Sequence, residues 1–305
     1  MRSAAVLMVF LAAFGLSSAR YIVPAYSSAT TWLDNDVQRL PNIREVTEEC
    51  RGPFIRKFLS LQDWDRPSML VFGDSQSVAM GVPKENTWSE HFKNRVAPEL
   101  QVINLAVIDG RPGDAEFIAR QVPGEVEISV YGLNQSHFVG AQHRNVPSVE
   151  ETPFEFLRCV SEMRRFLAMT PLSIPGAGSI PETYSAADLP ADRYDLTIDG
   201  PVVRSVVQAV ADTASRSVVF VAPNNSEAFD AYGYDIPRYA ADSAGLTEEC
   251  KAADPQVLCF NMSGQLGMGS FYDIIHFNTQ GNARFGELLG ERYFASAQPS
   301  TGKAH

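Results

Sequence analysis

The sequence lacks the patterns that mark several common functions. Its 25 lysines and arginines form no cluster and are outnumbered by 36 aspartates and glutamates, which gives a formal net charge of −11. A nucleic-acid surface needs concentrated positive charge, so none is expected. The chain also has no Walker loop, no Gly-x-Gly-x-x-Gly fingerprint and no internal repeat. These absences leave little support for phosphate binding and favour an acidic globular protein.

Cysteine is scarce as well, with four residues and no Cys-x-x-Cys pair. No histidine lies near them in the sequence, so the spacing does not resemble a zinc site. Cys250 and Cys259 flank a short acidic, turn-rich segment, and a disulfide between them is the favoured pairing. Cys50 and Cys159 would then form a second one. Four cysteines allow three pairings, and free buried thiols are the alternative.

The only long apolar run lies at the amino terminus, over residues 4–16. Arg2 precedes this run and three small residues follow it, which is the order of a secretory signal. The run is shorter than the roughly 20 residues that a membrane span needs. An uncleaved anchor or a buried helix is the alternative interpretation. We therefore predict a signal peptide over residues 1–19, a secreted or periplasmic protein, and no stable membrane span after signal cleavage.

Short apolar strands alternate with helices in the central part of the chain. Strands are predicted over residues 69–72, 101–105, 126–131, 217–222 and 257–260. Helices are predicted over residues 87–96, 114–121, 153–169, 201–214 and 279–294, and within 228–249. This alternation is typical of a parallel sheet covered on both faces. The predicted fold class is α/β, a three-layer αβα sandwich with a five-stranded, mainly parallel, flavodoxin-like sheet.

Other segments do not follow this rhythm. Residues 20–64 have no clean period and are predicted to form an N-terminal arm before a domain over residues 65–295. Residues 170–200 are rich in proline, glycine, serine and aspartate, which is typical of a functional or disordered loop. Residues 296–305 form a polar tail.

Polar turns follow the first three predicted strands. Gly73-Asp74-Ser75 follows the first, residues 106–113 follow the second and residues 132–136 follow the third. Because the carboxyl ends of parallel strands lie at one edge of the sheet, these turns are expected to converge. Glycine and aspartate commonly end a strand in a plain turn. Ser75 therefore needs partners before it can be interpreted as a nucleophile.

A serine hydroxyl becomes nucleophilic when a base takes its proton, and histidine is the usual base. His276 is the strongest candidate, because Asp273 precedes it by three residues. An aspartate at this spacing can accept the Nδ1–H of the ring and leave Nε2 facing the serine. The alternative is an ordinary helix start in which Asn278 or Thr279 is the N-cap.

Together these blocks resemble the SGNH, or GDSL, hydrolase superfamily. Its members carry Gly-Asp-Ser after the first strand, a glycine after the second, Gly-x-Asn after the third and Asp-x-x-His near the end. The corresponding blocks here are Gly73-Asp74-Ser75, "NLAVIDG" ending at Gly110, "YGLNQS" containing Asn134, and Asp273-Ile-Ile-His276. They occur in the family's order, and the resemblance covers about residues 69–294.

The resemblance implies a role for each matched residue. Ser75 looks like the nucleophile, His276 like the base and then the acid, and Asp273 like the carboxylate that orients the histidine. The backbone N–H groups of Ser75 and Gly110 and the side-chain amide of Asn134 would form the oxyanion hole. Neither a cofactor nor a metal is implied.

The chain departs from the family pattern in two places. One extra residue separates Asn104 from the second-block glycine, so Ala106 or Asp109 could donate in place of Gly110. Gln135 stands where an aspartate commonly follows the asparagine. That change leaves the proposed donor in place but alters what supports it.

The function implied by the resemblance is a secreted serine esterase that forms an acyl-enzyme. An acetyl or other short acyl group on a carbohydrate is the first substrate hypothesis, and a lipid or simple ester is the second. One alternative is an O-acyltransferase that moves the acyl group onto a glycan hydroxyl with the same triad. Another is a catalytically inactive fold that binds a glycan or a protein. The expected partner is an acyl-ester substrate, and no nucleic-acid partner is expected.

Overall fold

A computed structural model describes residues 59–60, 62–79, 82–106, 110–135, 198–231 and 235–297. Several predicted features lie outside these residues: the signal peptide, the arm up to residue 58, the helix over 153–169, nearly all of the 170–200 loop and the tail from residue 298. Cys50 and Cys159 also lie outside them, so their pairing stays a prediction.

Five strands form a single sheet in the order β2-β1-β3-β4-β5, and every neighbouring pair is parallel. The strands are β1 Ser68–Phe72, β2 Gln101–Asn104, β3 Val126–Leu133, β4 Ala214–Val221 and β5 Leu258–Asn261. This is the flavodoxin-like strand order of doubly wound folds. The five-stranded sheet is confirmed, and it is parallel throughout rather than mainly so.

Helices connect the strands of the sheet and follow its last strand. In the described ranges the α-helices are α1 Ser75–Val78, α2 Trp88–Val96, α3 Pro112–Ala119, α4 Gly200–Ala211, α5 Ser226–Ala231, α6 Ile236–Ala253 and α7 Thr279–Ala297. Short 3₁₀ turns cover Lys84–Asn86 and Met268–Ser270. Thr87 caps α2, because its side chain accepts the N–H of Glu90. Gly200, the last residue of the predicted loop, already belongs to α4.

The helices lie in two layers, one on each side of the sheet. Helices α2 and α7 pack against each other, whereas α4 packs against both α3 and α6. Alternate strand residues such as Met69 and Val71 belong to the buried cluster that includes Trp88 of α2 and Phe285 of α7. Because a strand buried on both faces sends side chains into both layers, its sequence is apolar throughout, as in β1. The predicted three-layer αβα architecture is confirmed.

An aromatic cluster surrounds Trp88 between the sheet and the helices. The indole ring lies edge-on to Phe220 at 5.3 Å and to Phe285 at 5.5 Å between ring centroids. Phe285 in turn contacts Phe277 at 5.1 Å. The indole Nε1 donates a hydrogen bond of 3.3 Å to the backbone oxygen of Gln76. The cluster therefore links the helix layer to the segment that directly follows β1.

A disulfide joins Cys250 of α6 to Cys259 of β5, with their Cα atoms 6.0 Å apart. The predicted short-loop pairing is thus confirmed. Disulfides of this kind are typical of proteins in oxidising compartments, which is compatible with the predicted secretion. Among the described helices, none is long and apolar enough to cross a membrane.

Candidate active site

The turn after β1 is the start of a short helix. Gly73 has φ of 142°, and a Cβ at this position would lie 2.2 Å from Ser77 Oγ, so the position requires glycine. Asp74 is the N-cap of α1, and its Oδ1 accepts the N–H of Gln76 at 2.9 Å. Ser75 is the first helical residue, so its backbone N–H has no acceptor within the helix. Gly-Asp-Ser therefore fixes the serine at the carboxyl end of a central strand.

Residues 271–277 form a tight reversal, which we call the histidine hairpin. Phe271 and Phe277 form an antiparallel bridge at its base, and Tyr272 N–H donates to His276 O at 2.8 Å. Helix α7 begins directly after the hairpin, with Asn278 as its cap, because the Oδ1 of Asn278 accepts Gly281 N–H at 2.8 Å. The ordinary helix start considered from the sequence is therefore present, and it coexists with the arrangement of Asp273 and His276.

The hairpin brings Asp273, His276 and Ser75 into one row. Asp273 Oδ1 accepts the backbone N–H groups of Ile275 at 2.8 Å and His276 at 2.7 Å. Its Oδ2 lies 2.7 Å from His276 Nδ1, and His276 Nε2 lies 2.9 Å from Ser75 Oγ. The serine and the histidine are both buried, with 9% and 7% of their surface exposed. The structure thus brings together the three residues that the sequence singled out, with His276 between the other two.

The electrostatics of the row favour one histidine tautomer. Burial raises the pKa of the Asp273 carboxyl. Hydrogen bonds from the His276 ring, the charge of that ring, and hydrogen bonds from the N–H groups of His276 and Ile275 lower it, and together they outweigh burial. The net pKa of Asp273 is below its ordinary value. An ionised carboxylate only accepts hydrogen bonds, so the ring proton lies on Nδ1. Nε2 is then left to accept the Ser75 hydroxyl proton.

Asn134 lies at the same edge, directly after β3 and beside β1. Its Nδ2 donates a 2.7 Å hydrogen bond to Asp74 Oδ2, and the residue is 1% exposed. The carboxylate of Asp74 thus fixes the orientation of the Asn134 amide. The sequence did not indicate this second role of Asp74, although the residue belongs to the Gly-Asp-Ser block.

The loop after β2 removes one candidate donor. Ala106 N–H donates to Asn104 Oδ1 at 3.0 Å, and Asn104 Nδ2 donates to Ser77 O at 3.0 Å. Because the Ala106 N–H already has an acceptor, it is not the alternative oxyanion donor. Gly110 is buried and precedes the first residues of α3, while Asp109 lies outside the described residues. Gly110 remains the predicted donor of this loop.

Gln135 faces away from the row, toward α6. Its Nε2 donates to Tyr239 O at 3.1 Å and to the hydroxyl of Ser243. Support for Asn134 therefore comes from Asp74. The Gln135 side chain ties the end of β3 to α6.

Asn225, which lies just beyond β4, is a further residue at this edge that was not predicted from the sequence. Its backbone N–H donates to Ile274 O at 2.8 Å, and its Nδ2 donates to Asp273 O at 3.5 Å. Asn225 thus holds the histidine hairpin against the edge where the strands end. The available signal was its position after a strand, because that edge also carries Ser75 and Asn134.

Within the described ranges, no group of three or more histidine, cysteine, aspartate or glutamate side chains is arranged to hold a metal ion. The Ser75 hydroxyl is a potential nucleophile, and the His276 ring beside it is a potential base.

Comparisons of this chain with known proteins gave only a distant structural similarity. No protein-family model matches the chain, and no curated protein matches it either. Among solved structures, the protein YxiM from Bacillus subtilis is similar, with 11% identical residues and a TM-score of 0.35. The match covers 76% of this chain and 57% of YxiM, so it spans little more than half of that protein. A similarity this distant says nothing of the residues at the site.

Proposed function

We propose that this chain is an exported serine esterase of the SGNH, or GDSL, type that hydrolyses acyl esters. The observation that carries the proposal is the row of hydrogen bonds from Asp273 through His276 to Ser75 Oγ. The apolar amino terminus and the Cys250–Cys259 disulfide support export. An acetyl or other short acyl group on a carbohydrate is the first candidate substrate.

In the first half-reaction Ser75 becomes acylated. Its Oγ attacks the ester carbonyl carbon while His276 Nε2 takes the hydroxyl proton, and the carbonyl oxygen becomes an oxyanion. The ester C–O bond then breaks, and His276 gives the proton to the departing alcohol oxygen. Asp273 holds the ring in place and stabilises the imidazolium that exists between these two transfers.

In the second half-reaction water releases the acyl group. His276 Nε2 takes a proton from a water molecule whose oxygen attacks the acyl carbon. The bond between the acyl carbon and Ser75 Oγ breaks, and Ser75 Oγ takes the proton back from His276. The products are the free acid and the original enzyme, and no co-reactant besides water is needed.

The oxyanion of both steps would be held by the backbone N–H groups of Ser75 and Gly110 and by the Asn134 amide. Ser75 N–H begins a helix, and Asn134 is preoriented by Asp74. Donors that are fixed before the reaction stabilise the developing charge without reorganising, and one such donor contributes about 3 kcal/mol.

The proposal is tested with mature protein and p-nitrophenyl acetate. We expect release of p-nitrophenol and, after acid quenching, an acetyl group on the peptide that contains Ser75. Ser75→Ala should lower kcat by about 10³-fold or more. Ser77→Ala is the matched control, because it removes a hydroxyl from the same short helix at a residue outside the row.

The outcomes separate the candidate functions. Absence of turnover and of acyl-enzyme would refute both the hydrolase and the transferase. Acyl transfer to an added glycan faster than release of free acid would reassign the chain as an O-acyltransferase. Equal losses in Ser75→Ala and Ser77→Ala would show that the row is not the catalytic centre.

A further inference from the structure

The side chain of Gln76 connects two segments that are distant in the sequence. Its Nε2 donates to Pro223 O at 2.6 Å and to Ile275 O at 2.7 Å. Pro223 follows β4, whereas Ile275 lies in the histidine hairpin and directly precedes His276. Gln76 itself is the residue after Ser75, so one side chain spans from the serine to the histidine.

Both partner atoms of this amide are carbonyl oxygens, which only accept hydrogen bonds. The NH₂ group must therefore face them, and its two protons serve one oxygen each. Gln76 is 3% exposed, and its Oε1 has no hydrogen-bond partner among the described residues. Burying an amide oxygen without a partner is unfavourable. The side chain is thus kept in this orientation by its two donor bonds.

The base of the Gln76 side chain is fixed on both sides of its Cα. The backbone N–H donates to Asp74 Oδ1 at 2.9 Å, and the backbone oxygen accepts from Trp88 Nε1 at 3.3 Å. Because the backbone of Gln76 is held in place at α1, a group that hydrogen-bonds to its side chain is held at a fixed distance from α1. What it binds is the carbonyl next to His276.

We propose that Gln76 is a positioning residue that sets the distance between His276 Nε2 and Ser75 Oγ by binding Ile275 O. This inference rests on the proposed serine-esterase function. Gln76 does not touch the reacting atoms and acts only through the hairpin. Asn225 binds the same hairpin at Ile274 O, but it starts from β4 and not from the helix that carries the serine.

The test compares Gln76→Met with Gln101→Met. Methionine keeps the length of the side chain and removes both donors. Gln101 is the matched control: it is also buried, and its Nε2 also donates twice, to Asp63 O at 2.7 Å and to Ser68 Oγ at 2.8 Å. It is the first residue of β2, so it lies where the strands begin, whereas Ser75 lies where they end. Both variants lose one buried two-donor amide, and only one loses the contact with the hairpin.

The first readout is the rate at which a fluorophosphonate phosphonylates Ser75, divided by the number of titrated sites. A displacement of about 1 Å at a reacting group costs up to roughly 100-fold in rate. We expect Gln76→Met to react about 10- to 100-fold more slowly per site, with a similar fall in kcat for p-nitrophenyl acetate and an unchanged KM. Gln101→Met should keep the wild-type rate per site, whatever stability it loses.

The second readout does not depend on activity. Crystal structures of the wild type and Gln76→Met should show the Ser75 Oγ to His276 Nε2 distance lengthened beyond the hydrogen-bond range of about 3.2 Å in the variant. A wild-type rate per site and an unchanged distance in Gln76→Met would overturn the inference. So would an equal slowing in Gln101→Met, because the loss would then follow stability. If the wild-type protein itself does not react, the esterase proposal fails, and the distance alone decides whether Gln76 positions His276.

Discussion

Asp74 and Asn134 lie 60 residues apart in the sequence and are joined by a 2.7 Å hydrogen bond between carboxylate Oδ2 and amide Nδ2. The other carboxylate oxygen of Asp74 accepts the N–H of Gln76. One buried side chain thus starts the helix of the proposed nucleophile and also orients the proposed oxyanion donor. The two features directly follow the neighbouring strands β1 and β3, which explains how a single carboxylate reaches both.

Asp74→Asn should separate these two roles. The new side-chain oxygen still has to accept the Gln76 N–H, so the new amide nitrogen would face Asn134 Nδ2, donor against donor. We expect a fall in kcat of about 10²-fold, the size seen when an oxyanion donor is lost, with the fold retained. Steady-state kinetics with p-nitrophenyl acetate and circular dichroism measure the two effects.

The control for this prediction is a double-mutant cycle with Asn134→Ala. If Asp74 acts through Asn134, the double variant should be no slower than Asn134→Ala alone. Losses that multiply would show that the two residues act independently.

Asp273→Asn should trap His276 in the wrong tautomer. Asp273 Oδ1 accepts two backbone N–H groups, so an asparagine would keep its oxygen there and turn its NH₂ toward His276 Nδ1. Nδ1 would then accept, and the ring proton would move to Nε2, which could no longer take the Ser75 proton. We expect kcat to fall by about 10⁴-fold. Nitrogen NMR of His276 reports the tautomer, and activity within about tenfold of the wild type would contradict the mechanism.

Acid stability should depend on the same carboxylate. The pKa of Asp273 is lower in the folded protein than its unfolded value of about 3.9, so its contribution to stability is present above about pH 4. That contribution is lost as the pH falls through the lower, folded pKa. Urea unfolding across this acidic range should show a steeper loss of unfolding free energy for the wild type than for Asp273→Asn. Parallel curves would argue against the lowered pKa.

The disulfide should contribute to stability without contributing to the chemistry. Cys250 and Cys259 are nine residues apart, and closing a loop of this length in the unfolded chain corresponds to about 2.5 kcal/mol. Replacing both cysteines by serine should lower the unfolding free energy by about that amount. The rate per titrated site should match the wild type at a temperature where both are folded. A change in that rate would mean that the link between α6 and β5 shapes the site.

The sheet could be predicted because its strands are apolar on both faces and are separated by helices. The amino end of β4 shows where this signal stops. Residues 214–216 were not predicted as strand, since Ser215 and Arg216 are polar and exposed. They belong to the strand because β3 continues alongside them, with Val126 paired to Ala214. The local pattern of apolar and polar residues does not reveal a pairing between residues 88 positions apart.

The candidate site could also be predicted only in part. Ser75 and Asn134 follow strands of one sheet, and the Asp273 and His276 spacing is local, so both pairs could be proposed from the sequence. Gln76 was missed because its partners lie 147 and 199 residues away and are backbone oxygens, which no side-chain pattern reveals. Asn134 could be proposed as an oxyanion donor from the sequence, but its bond to the Asp74 carboxylate could not.

Trp88 is an intrinsic fluorophore that lies next to both parts of the candidate site. Its indole N–H binds the backbone of Gln76, next to Ser75, and its ring touches Phe285, which touches Phe277 at the base of the histidine hairpin. The two halves of the candidate site therefore share the surroundings of one fluorophore. Movement of either half changes the field and the quenching groups around that indole. In a variant with Trp32 and Trp64 replaced by phenylalanine, occupation of the site should therefore change the emission of Trp88, which is then the sole tryptophan.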